Sequence, residues 1–119
     1  MDAVVELTVG ADDTAIAMRS GDVPVLATPR LVALCEEAAI EAAGPPVEEG
    51  MTTVGARFEI EHKKPTFLGG RVRAEAHLVS ESPDGRRLEF EIEVKDGDGD
   101  VVARGRHSRV RVPRSRFGG

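Results

Sequence analysis

The sequence predicts an α+β domain in which one long helix packs on an antiparallel sheet. One stretch of helical periodicity, 28–43, precedes four stretches of two-residue periodicity, and the links between those four are short enough for antiparallel neighbours. The apolar complement points the same way. Hydrophobic residues make up 40% of the chain, but there is no Trp or Tyr and only four Phe, so the core must be built from Val, Leu, Ile and Ala packed round a small-residue helix. A chain of 119 residues suits a single domain, 1–119, and suffices for a real core.

Val4 to Val9 alternates and reads as a first strand, with Gly10-Ala11-Asp12-Asp13 as the turn after it. Residues 14–27 mix a strand pattern with a Gly-Asp-Val-Pro break and read as a loop or edge segment over the helix start. Thr28 is placed as an N-cap and Pro29 at the first helical position, where its missing N–H is not needed. Gly44, Pro45 and Pro46 end the helix. Val32, Glu36, Ile40 and Ala43 share one stripe, and Leu31, Leu34, Cys35, Ala38 and Ala42 extend the apolar surface beside it. Glu36 is thereby expected at a core position, where a carboxylate needs partners.

A connector over 45–50 leads to a strand over 51–63, in which Val54, Ala56, Phe58, Ile60 and His62 point one way and Thr53, Gly55, Arg57, Glu59, Glu61 and Lys63 the other. The Pro65 and Gly69-Gly70 segment is a loop. A strand over 71–80 turns Val72, Ala74, Ala76 and Leu78 inward and His77 outward. Ser82-Pro83-Asp84-Gly85 is a turn, and 87–95 sets Leu88, Phe90, Ile92 and Val94 against Glu89, Glu91, Glu93 and Lys95. Asp96 to Asp100 closes a hairpin, 101–112 is the last strand, and a polar tail follows Pro113. One sheet covers one side of an apolar helix, so a second copy is expected to cover the rest, giving a homodimer.

A net charge of -5 and a pI of about 5.2 argue against general affinity for nucleic acid or anionic membrane. Between Arg104 and Arg116, however, stand six Arg and no acid, which more often form a solvated face but could hold phosphate locally. Cys35 has no partner for a disulfide and is read as a small buried hydrophobe. No apolar run is long enough to span a membrane and the start of the chain lacks a signal-peptide pattern, so the expected location is cytoplasmic.

Asp96-Gly-Asp98-Gly-Asp100 begins like a calcium loop, but its sixth position is Val101 and its twelfth His107, so a hairpin turn is expected and no metal. Glu36 and His62 carry more information. A helix laid against a sheet brings an inward Glu near an inward His, the acid/base and orienting groups that hydrolysis needs, and the helix start at Thr28 offers N–H groups to an oxyanion.

The order of elements, the segment VALCEEA, the IEH ending at His62, the Pro-Thr-x-x-Gly-Gly loop and the HSRVRV ending resemble the hot-dog-fold thioesterases, most closely the fluoroacetyl-CoA thioesterase subfamily. That resemblance implies a hot-dog fold, one long central helix packed on an antiparallel five- to six-stranded sheet, and a homodimer with its sites at the subunit interface, further association to a tetramer being left open. It implies hydrolysis of a small acyl-CoA by a Thr-Glu-His group: Thr28 the hydroxyl, Glu36 the carboxylate, His62 the base. Gly55 would let the thioester approach the backbone, and Arg109 would match an arginine near the site. Glu36 is left with two uses, orienting or direct attack. No cofactor is implied, since coenzyme A is part of the substrate. The subfamily's aromatic lid has no counterpart, because no aromatic residue precedes Phe58, so fluoroacetyl specificity is not expected. The competing readings are a non-catalytic acyl-CoA or small-ligand binder, an enoyl-CoA hydratase, a cone-shaped α+β isomerase and a purely structural dimerisation module.

Overall fold

Alternating apolar residues make the strands, and their inward faces enclose the one long helix. A computed structural model describes residues 1–46 and 48–118; Val47, in the expected connector, and Gly119, at the end of the tail, lie outside the described residues. The elements are β1 (Asp2–Thr8), α1 (Ala15–Met18), α2 (Thr28–Ala43), β2 (Met51–His62), β3 (Arg71–Glu81), β4 (Arg87–Asp96) and β5 (Val101–Pro113), with 3-10 turns at Ala11–Asp13 and Arg114–Phe117. The five strands among the described residues form one sheet in the order β1-β3-β4-β5-β2, every pairing antiparallel. β1 and β2 are therefore the edges, and the expected β2–β3 neighbour pair does not form: both sides of β3 are taken by β1 and β4, so β2 pairs with β5 instead.

The hairpins follow their turn chemistry. Gly85 and Gly99 take φ of 73° and 83°, which a Cβ would strain. Asp96 Oδ1 accepts the N–H groups of Asp98 and Asp100, each at 3.0 Å, closing the β4–β5 turn. Lys64 Nζ donates to Asp96 Oδ2 at 2.6 Å and to Asp100 Oδ2 at 2.9 Å, so this acidic loop carries an ammonium.

Leu31, Leu34, Cys35, Ala38, Ala39 and Ala42 of α2 are buried on Val72, Ala74 and Ala76 of β3 and Leu88, Phe90, Ile92 and Val94 of β4. Alanine facing alanine lets helix and sheet approach closely, and each fully buried Leu contributes about 1.5–3 kcal/mol. Burial raises the Cys35 thiol to about 12, as the inert-hydrophobe reading expects. No described helix is long and apolar enough to cross a membrane.

Three further sequence expectations change. The buried face of α2 is the Leu31-Leu34-Cys35-Ala38-Ala42 surface with Ala39; Ile40 is 47% exposed and the Glu36 side chain 39% exposed, so the Val32-Glu36-Ile40 stripe is a flank rather than a core position. The physical reason is the helix's placement chiefly over β1 and β3, away from the β5–β2 end of the sheet. Thr28 is the first helical residue rather than the cap, Ala27 holds the cap position with no side-chain bond, and Pro29 follows at the second position. Finally, β2 carries a bulge between Gly55 and Arg57, with Ala56 as the extra residue, so the two-residue phase shifts midway. Thr53 and Gly55 therefore share the inner face with Phe58, Ile60 and His62, which the uninterrupted alternation had denied them.

Candidate active site

Two clusters lie along the flank of α2 that faces the β2 edge. The first is at the helix start. Because Thr28 does not cap α2, its hydroxyl is free to bond elsewhere, and Thr28 Oγ1 and His62 Nδ1 share a hydrogen bond of 2.8 Å. His62 comes from the last residue of β2, where alternation turns it inward. Its Nε2 is buried with no hydrogen-bond partner among the described residues. Desolvation lowers its pKa from the usual imidazole value, more than a backbone bond at Lys64 raises it, so the ring is neutral at pH 7 and can accept a proton. At this helix end Pro29 has no N–H and Leu31 N already donates to Ala27 O at 3.0 Å, leaving the N–H groups of Thr28 and Arg30 as the free donors among the described residues.

The second cluster gathers round Glu36, two turns further along. Arg109 Nη1 donates to Glu36 Oε2 at 3.3 Å, and His107 Nε2 lies 3.9 Å from the same oxygen. Arg109 is only 5% exposed. A buried guanidinium needs acceptors, and every nitrogen of this one has at least one: Nε donates to Thr53 Oγ1 at 3.0 Å, Nη2 to Thr53 O at 3.2 Å, and Nη1 also to His107 Nε2 at 3.1 Å. Desolvation lowers its pKa, Glu36 opposes that, and an arginine stays charged. Gly55 completes the cluster. A Cβ built there would stand 2.8 Å from Glu36 Oε2 and 3.3 Å from His107 Cε1, so only a glycine leaves the carboxylate where it is.

The structure thus pairs Thr28 with His62 and gathers Glu36, Gly55 and Arg109, but within the chain Glu36 is not within hydrogen-bond or ion-pair reach of His62. Eight residues of helix separate Thr28 from Glu36, about 12 Å of rise. Expected as a single trio, the candidate residues form two adjacent sets. His107 and Thr53 were not singled out from sequence as site residues. The available signal was alternation on β5, which puts His107 on the same face as Arg109 two residues later; for Thr53 the bulge hid it.

The basic run sorts itself. Arg104 pairs with Glu93, Arg106 with Glu91, Arg109 with Glu36 and Arg111 with Glu81. Among the described residues Arg114 and Arg116 have no carboxylate partner, and neither does Arg86. All three line a groove of about 1240 Å³ whose walls include Ile40, Met51 and Leu88.

The profile of the family described as fluoroacetyl-CoA-specific thioesterase matches residues 9–115. Among solved structures, a hypothetical protein of Thermus thermophilus, a thioesterase superfamily member, superposes with a TM-score of 0.89 at 28% identity, over 99% of this chain and 85% of that one. The fluoroacetyl-CoA thioesterase FlK superposes with a TM-score of 0.89 at 27% identity, over 99% and 90% of the two chains. A variant of FlK in complex with fluoroacetate and CoA gives 0.87 at 27%, over 98% and 96%. A search of curated proteins by sequence found no match. With a profile match across nearly the whole sequence and a shared fold, this chain belongs to the fluoroacetyl-CoA-specific thioesterase family and is a hot-dog-fold thioesterase.

Proposed function

We propose that the protein hydrolyses the thioester of a small acyl-CoA to the free acid and CoA, using Thr28, Glu36 and His62, with Gly55 and Arg109 shaping the place where the thioester lies. The observation that carries this reading is the Glu36 carboxylate held by Arg109 directly against Gly55, a stretch of backbone with no side chain to keep a carbonyl away. Neutral His62, aligned by Thr28, takes the proton of the attacking water or of the Thr28 hydroxyl. The tetrahedral oxyanion is stabilised by backbone N–H groups at the start of α2. Where water attacks, collapse breaks the C–S bond and the imidazolium returns the proton to the departing thiolate; where Thr28 or Glu36 attacks, the C–S bond breaks with the acyl group left on the protein, and His62 then takes the proton of the water that releases it as the free acid. Glu36 serves either by activating and orienting water or by attacking the carbonyl to form a mixed anhydride; a single turnover in ¹⁸O-water separates these, because attack of water on the Glu36 carbonyl of an anhydride leaves label in Glu36.

A homodimer fits the exposed elements. β2 is a free edge, and beside it the Val32-Glu36-Ile40 flank of α2 lacks cover. Two-fold pairing of β2 with its copy is antiparallel, so it carries the Thr28–His62 end of one protomer toward the Thr53–Gly55 end of the other. The phosphates of CoA are assigned to Arg86, Arg114 and Arg116, the groove's cations without carboxylate partners among the described residues. The family's name includes fluoroacetyl-CoA, but with no aromatic residue ahead of Phe58 a small acyl group is proposed without fluorine selectivity.

The test is free-thiol release from acetyl-, fluoroacetyl-, propionyl- and phenylacetyl-CoA by wild type and His62→Ala. Release that His62→Ala abolishes supports the proposal and ranks the acyl groups. Binding of all four without release overturns it in favour of a non-catalytic acyl-CoA binder.

A further inference from the structure

His107 takes no part in the chemistry above, yet it is one of the most deeply buried polar residues, 2% exposed, and every polar atom of its ring is committed. Nδ1 lies 2.7 Å from Arg57 O. A carbonyl only accepts, so Nδ1 carries the proton and donates. Nε2 faces Arg109 Nη1 at 3.1 Å, and a guanidinium only donates, so Nε2 presents its lone pair. These two contacts admit one state of the ring, neutral with the proton on Nδ1. Both partners matter to the site: Arg57 ends the β2 bulge that turns Gly55 inward, and Arg109 holds Glu36. Phe58 of β2, at a ring-centroid distance of 4.8 Å, and Phe90 of β4, at 6.4 Å, close the imidazole in.

We propose that His107 is a positioning residue: as a neutral hydrogen-bond acceptor it fixes Arg109 on Glu36, and as a donor it fixes the bulge that brings Gly55 to the same carboxylate. This deepens the hydrolase reading above and rests on it only for the effect on turnover. The alternative uses of a buried histidine fit less well. As a proton acceptor Nε2 would become a second donor facing the Arg109 donor, and the ring does not touch Thr28 or His62. Protonation would therefore break the Arg109 contact. The charged groups acting on the ring are Arg109 on its own strand, which disfavours the protonated form, and Glu36 of α2 and, from the opposite face of the sheet, Glu89 of β4, which favour it; burial outweighs the bond to Arg57 O and both acids and holds the ring below the usual imidazole range.

The experiment compares wild type with His107→Phe, which fills the aromatic surroundings but has no acceptor, and His107→Gln, whose amide oxygen can accept from Arg109. Two readouts are used. Long-range ¹H–¹⁵N correlations report the imidazole tautomer and the order of the Arg109 Nε–H, without any substrate; thiol release reports kcat and KM. Expected are the Nδ1–H tautomer in wild type, loss of the Arg109 Nε–H signal in His107→Phe with its return in His107→Gln, and a kcat lower by about 10- to 100-fold in His107→Phe with KM little changed and partial recovery in His107→Gln. An Nε2–H tautomer, or an Arg109 signal unchanged in His107→Phe, overturns the proposal. So does a folded His107→Phe with wild-type kcat. Wild type that releases no thiol, while Arg109 order still depends on the residue at 107, supports the positioning of Arg109 and overturns the hydrolase reading instead.

Discussion

Replacing Gly55 by Ala asks whether the Glu36 carboxylate must sit where it does. The added Cβ would stand 2.8 Å from Glu36 Oε2, 3.3 Å from His107 Cε1 and 3.5 Å from Arg109 Nη1. Non-bonded contact needs about 3.5 Å, so Oε2 must retreat by roughly 0.7 Å. The Arg109–Glu36 bond is already 3.3 Å long, and a retreat of that size takes it outside hydrogen-bonding range. Misplacement of a reacting group by about 1 Å costs up to ~10²-fold in rate, so kcat should fall about 10- to 100-fold. The fold should survive. The first atom met is the far end of a side chain, Gly55 is not in the left-handed region, and Gly→Ala removes about 0.4–1 kcal/mol of unfolded-state entropy that offsets the crowding. Thiol release at saturating acyl-CoA, with Tm measured on the same preparation, checks both halves. A folded Gly55→Ala with unchanged kcat and KM would refute the placement of the reaction between Gly55 and Glu36.

Glu36→Gln keeps the size but removes the charge that Arg109 holds; turnover should drop at least about 10²-fold while acyl-CoA binding persists, and near-normal turnover takes Glu36 out of the mechanism. His62 and His107 are both held below the usual imidazole value by burial, so the unfolded chain takes up protons that the folded chain does not. Their contribution to stability is present above about pH 6.5 and is lost as the pH falls through the lowered folded values, so Tm should decline between pH 7 and pH 5. A Tm that stays flat there contradicts the burial assigned to both rings. Arg114→Ala with Arg116→Ala should raise KM for acyl-CoA about 10-fold or more with kcat little changed, and should leave binding of a short pantetheine thioester unaltered; an equal loss for both substrates argues against phosphate contact.

Much of this site was legible as residue types in a pattern. Alternation put His62 on the inner face and His77 outside, where it pairs with Asp2, and the Gly-Pro punctuation bounded α2. The residues of VALCEEA and HSRVRV marked Glu36 and Arg109 through family resemblance, and the two prove to be hydrogen-bonded. What escaped the sequence depended on one inserted residue and one lateral displacement. Ala56 makes a bulge, which reverses the faces of Thr53 and Gly55; nothing in a regular run of apolar and polar residues records it. The helix stands toward β1 and β3, so Glu36 lies on a flank rather than in the core, and a helical projection gives no azimuth relative to a sheet.

The sequence by itself determined the long helix and the five strands, the β3–β4–β5 run of antiparallel hairpins, the composition of the core and the residues able to do hydrolytic chemistry, because periodicity, turn residues and side-chain type are local properties of the chain; that β2 lies beside β5 rather than β3, and that α1 forms within residues 14–27, came from the fold. Tertiary structure alone decided which of those residues meet. Thr28 gives its hydroxyl to His62 instead of capping α2, Arg109 divides its donors between Glu36, His107 and Thr53, and four acids neutralise the basic run until only Arg114 and Arg116 remain unpaired within it among the described residues. Apart from the His107–Arg109 bond along β5, each of these contacts joins two different elements, set by strand register and by the requirement that a buried donor find an acceptor.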